Sequence, residues 1–157
     1  MDDAREAREA MKTDDLILDI QYEIKQMAKD NRKSDLEAIA SVLEMSIERV
    51  RNRSVEELRQ IINKHVKENP YRFVKDGEVE LLSDKTYRQW IALKAIKEGV
   101  LEVSRDQKRI SWGASKEVAK TIPVGRKPVE WLTDYLASDD GTIMLEEISR
   151  LLDPKAA

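Results

Sequence analysis

The chain has no cysteine and a single histidine in 157 residues. The first absence excludes disulfides and thiolate metal sites and fits a reducing compartment. The second excludes a His-Glu-x-x-His zinc site, and with no cysteine and only His65 to serve as base, a nucleophile triad has little to build on. Glycine numbers five and proline four. Neither GxxxxGK[ST] nor GxGxxG occurs, so no phosphate-cradling loop is encoded by motif. No apolar run approaches the length of a membrane-spanning helix. The opening stretch, MDDAREAREAMKTDD, is acidic and lacks the apolar segment of a signal peptide. These absences point to a cytoplasmic protein (host cytoplasm if viral) with no cofactor, no metal and no membrane.

What is present is charge and helical periodicity. Apolar residues make up 41% and charged residues 38%, which is globular composition with a strongly solvated surface. The net charge of −3 is unevenly distributed. Residues 85–130 hold 11 basic and 5 acidic groups, a local excess of +6, whereas residues 131–157 hold 2 and 6. The overall sign therefore does not exclude a polyanion partner.

Apolar spacing predicts a mainly α (α+β) protein. Residues 1–13 read as a flexible acidic tail or a short polar helix extension. Leu16, Ile17, Ile20, Ile24 and Met27 predict a helix over 14–29. Ser34-Asp-Leu-Glu37 reads as a capping box opening a helix over 34–44, and Ser54-Val-Glu-Glu57 as a second one opening 54–68. Together 14–68 form an N-terminal three-helix unit. Asn69-Pro70 ends it, and 69–82 is expected to be a linker or a short hairpin turning at Asp76-Gly77. Residues 83–157 form a small α+β module. It contains a helix over 84–98 ended by Gly99, a hairpin of 100–104 with 108–112, a loop over 113–125, a helix over 127–137, and a last helix after Asp139-Asp-Gly141. The aspartate and glutamate pairs are expected to complement helix dipoles. His65 is expected to be a boundary residue, and Trp90 and Trp112 core residues.

The segment LEAIASVLEMSIERVRNR, Leu36–Arg53, resembles the helix-turn-helix of bacterial transcription factors, including sigma-factor region 4. Ala40 allows close helix approach, Met45-Ser46 supplies turn and cap, and Val50 anchors a second helix. With Ile47 and Val50 inward, Arg49, Asn52 and Arg53 share the outward face, beside Arg51. Arg and Asn are suited to guanine and adenine edges in the major groove. The turn glycine of the motif is replaced here by Glu44.

Residues 83–152 resemble, more loosely, the C-terminal domain of RecA-type recombinases. IALKAIKEGVLEV, KRISWG, IPVGRKPVEWLTDYL and LEEISRLL carry the likeness. It implies duplex-DNA contacts by Arg105, Lys108 and Arg109 on the hairpin and by Lys116, Lys120, Arg126 and Lys127 around the following loop. Two functions follow. One is a non-enzymatic DNA-binding accessory or transcription-regulatory protein. The other is a protein–protein adaptor or structural and assembly subunit, phage-encoded or polymerase-associated, without nucleic-acid contact. An enzyme lacking a recognisable motif is a third class.

Overall fold

A computed structural model describes residues 3–153. The first two residues of the expected tail and the last four of the expected module lie outside them. Over these residues the protein is mainly helical, with six α-helices, a two-stranded hairpin and a three-stranded antiparallel sheet. It divides into two compact units. The first comprises the chain up to Glu44 together with Glu48–Ser83. The second comprises Asp84 onward together with Met45–Ile47.

The first unit holds α1 (Asp3–Lys29), α2 (Lys33–Glu44) and α3 (Val55–Glu68), then a 3-10 turn (Pro70–Phe73) and the hairpin β1 (Val74–Lys75) and β2 (Glu78–Val79). Ile20, Ile24 and Met27 of α1 meet Leu36, Ile39, Ala40 and Leu43 of α2 and Leu58, Ile62 and Val66 of α3. Of the two readings of residues 1–13, the polar helix extension is the one that forms, from Asp3 onward, and not the flexible tail. Exposed i,i+4 pairing of Arg5 with Glu9 at 3.3 Å supports its opening turns. Alpha1 ends with Asn31 in the left-handed region (φ 58), and the Arg32 N–H reaches back to the Met27 carbonyl. That six-to-one bond is a Schellman ending. Lys33 then opens α2, so Ser34 lies inside the helix and is not its cap. The second capping box is present: the Ser54 hydroxyl accepts from the Glu57 N–H, and Glu57 accepts from the Ser54 N–H. Asp76 and Gly77 both take positive φ, as a two-residue hairpin turn requires. Residues 69–82 are not a linker, because Phe73 is buried in the first core with Val74, Val79, Leu81 and Leu82 against it.

The second unit holds α4 (Asp84–Lys97), β3 (Leu101–Val103), β4 (Arg109–Trp112), β5 (Val118–Thr121), α5 (Pro128–Leu136) and α6 (Asp139–Leu152). The hairpin forms as expected, with Leu101 opposite Trp112 and Val103 opposite Ile110. The expected loop 113–125 contains a third strand, β5, paired antiparallel with β4. Its turn is closed by the Lys116 N–H on the Trp112 carbonyl, with Lys116 itself at φ 66. A lysine in the left-handed region leaves no glycine to announce the turn. Ile91, Ala92 and Ala95 pack with Leu101, Ile110, Leu132, Leu136, Met144 and Ile148. Trp90 and Trp112 sit half-buried against this core. Asp139, Asp140 and Gly141 are the first turn of α6, not a loop before it, because the Ser138 hydroxyl accepts the Gly141 N–H at 3.0 Å.

Candidate nucleic-acid interface

The second helix of the helix-turn-helix does not form. Met45 (φ 52) ends α2 in the left-handed region, and residues 48–52 are turns. Asn52 is also left-handed (φ 64), which stops any helix there. Val50 is buried as an anchor, and its carbonyl accepts the Arg53 N–H. Arg49, Arg51, Asn52 and Arg53 are all exposed, but on successive turns and not on one helical face. Arg53 serves the start of α3: its guanidinium donates to the Arg49 carbonyl at 3.2 Å and to the Glu57 carboxylate at 2.9 Å. These four residues lack the projection that base reading from a major groove requires.

The basic candidates of the second unit fall into two sets. Lys116, in the β4–β5 turn, bonds Glu102 at 2.6 Å at the far end of the sheet from the hairpin tip. Lys120, paired with Ile110 across the strands, lies 4.9 Å over the Tyr135 ring. Trp131 stacks on that same ring with centroids 5.2 Å apart. Arg126 is held by Asp134 at 2.6 Å. Each of these three therefore already has a partner of its own.

Arg105, Lys108, Arg109 and Lys127 differ. All are exposed, and no salt bridge among the described residues engages them. The topology gathers the first three at the hairpin tip. Thr121 at the end of β5 pairs with Arg109, and the Ile122 N–H donates to the Lys108 carbonyl at 2.7 Å. The β5–α5 connection carrying Arg126 and Lys127 thus leaves from the tip end of the sheet. Lys127 is the N-cap of α5, whose first turn also carries the exposed Glu130.

The tip itself is rigidly built, and sequence reasoning missed the two residues responsible. Ser104 donates to Asp106 Oδ1 at 2.6 Å, and its hydroxyl accepts the Arg109 N–H at 3.1 Å. Asp106 also accepts the Lys108 N–H at 3.1 Å. The Ser104 hydroxyl, then the Lys108 N–H, then the Arg109 and Lys108 charges hold the Asp106 carboxyl below the usual aspartate range. The one acid at the tip is spent on fixing it. The Ser-x-Asp pattern between two strand signals was the available clue.

Among the described residues no cluster of acidic and histidine side chains could hold a metal ion, and no helix is long and apolar enough to cross a membrane. Comparison of the chain with protein-family models, with curated proteins and with solved structures finds no match.

Proposed function

We propose that this protein is a non-enzymatic DNA-binding accessory factor that grips the phosphate backbone with the hairpin end of its second unit. The observation carrying this reading is the grouping of Arg105, Lys108 and Arg109 at the hairpin tip of a three-stranded sheet, with Asp106 internally committed and the connection to Lys127 leaving from the same end. Flexible surface cations on a rigid turn suit phosphate contact, which positions a protein on a duplex without reading its sequence. The binding is accordingly non-specific and salt-dependent. The sequence-reading role expected of Arg49–Arg53 is dropped from this proposal, since those residues lie on turns.

Fluorescence anisotropy with a labelled mixed-sequence duplex, and with the corresponding single strand, tests it at about 50 and about 200 mM salt. Binding at the lower salt is expected to weaken at least about tenfold in the Arg105→Ala, Lys108→Ala, Arg109→Ala triple variant. Arg49→Ala with Arg53→Ala is expected to leave it within about twofold. Absence of binding at low salt rules the reading out and leaves the adaptor role.

A further inference from the structure

Alpha1 has two apolar faces, and the first unit covers only one. Ile20, Ile24 and Met27 enter the core. On the opposite side Ala4, Ala7, Met11, Leu18 and Tyr22 fall within a strip about 60° wide at 3.6 residues per turn. All five are exposed, Met11 at 64%, Leu18 at 63% and Tyr22 at 59%. Solvated helix faces ordinarily place charge at such positions.

The strip is asymmetric along its length in size and in charge. Its first half is small, Ala4 and Ala7, and is flanked by Arg8 and Lys12 on one side and by Asp3 on the other. Its second half is large, Leu18 and Tyr22, is flanked by Asp14, Asp15 and Asp19, and gives way to Lys25 and Lys29 beyond Tyr22. Glu6 and Glu9 point to the other side of the helix, and Glu9 is held by Arg5. A parallel copy would set Tyr22 on Tyr22 and Asp15 on Asp15. An antiparallel copy sets small on large and basic on acidic.

We infer that two copies of this chain pair antiparallel through this strip, centred at the level of Thr13. Ala4 of one copy then faces Tyr22 of the other, and Arg8 lies beside Leu18 and Asp19. The interface is small, so the association is reversible and weak. It stands independently of the DNA reading.

Sedimentation velocity of the full chain from about 5 to about 500 µM is expected to show a monomer–dimer equilibrium. Met11→Glu with Leu18→Glu is expected to weaken it at least about tenfold, with circular dichroism and melting temperature unchanged because both positions are exposed. The absence of native cysteine gives a clean orientation test. Under mild oxidation a mixture of Ala4→Cys and Tyr22→Cys chains is expected to form the 4–22 disulfide, and Ala4→Cys alone to stay uncrosslinked. A monomer at every concentration, association indifferent to the double variant, or a 4–4 disulfide would each overturn the inference.

Discussion

Gly141 sits in the first turn of α6, where a Cβ would fall on the carbonyl oxygen of Tyr135. The obstacle is backbone, so no side-chain rotation relieves it. In an open helix Gly→Ala gains about 1 kcal/mol from propensity. Overpacking against fixed backbone costs about 1–3 kcal/mol or more, so the clash wins. Gly141→Ala is therefore expected to destabilise the second unit by about 1–2 kcal/mol. Urea unfolding followed by tryptophan fluorescence measures this directly, since Trp90, Trp112 and Trp131 all belong to that unit. A variant as stable as the parent would mean that the α5–α6 corner shifts freely. Gly113 has the same kind of constraint, its Cβ position lying on the Gly99 carbonyl. Sequence reading assigns both glycines to turns or caps, because close approach of distant backbone leaves no local signature.

At the scale of the element, the capping box of α3 links sequence to pH dependence. Hydrogen bonding from the Ser54 backbone N–H, then from the Arg53 and Ser54 side chains, holds the Glu57 carboxyl below the ordinary glutamate range. A folded value below the unfolded one means the stabilisation is fully present above the ordinary glutamate value. It is lost as pH falls through the lowered one. Glu57→Gln removes the titration, so acidification from neutral pH is expected to cost the parent more stability than the variant. Urea midpoints by far-ultraviolet circular dichroism between about pH 7 and pH 3 check this, and parallel curves would sink it. The same box explains why Ile47–Arg53 is no recognition helix: α3 already begins at Val55, and Asn52 breaks the chain direction just before it. Motif spacing made the two signals compete, and the capping chemistry won. The hairpin, the first core and the helix faces were legible from apolar period. The start of α1 was legible only as one of two alternatives, since residues 3–12 have no apolar face toward a core, and strand β5 was not, since Val118–Thr121 turns a lysine inward along its aliphatic stem.

For the whole molecule, net charge and local charge pull against each other. The chain is acidic at −3, yet the candidate interface is basic. At physiological salt the screening length is about 8 Å, so the charges carried by the hairpin end itself govern its close contacts. On the proposed reading, four cations neutralising phosphate (Arg105, Lys108, Arg109 and Lys127) are expected to give log K against log salt a slope of about −3.6 on duplex DNA. A pair of copies joined through α1 carries twice as many, and both ends engaging one duplex raises the slope to about −7. Anisotropy titrations at several salt concentrations are thus expected to show the shallower slope where the protein is monomeric and a steeper one where it pairs. Met11→Glu with Leu18→Glu lies in the other unit from the cations and leaves them untouched. It is expected to hold the shallow slope at every concentration while still binding. A parent slope that stays near −3.6 after sedimentation has shown pairing would mean that each duplex is held by one copy alone.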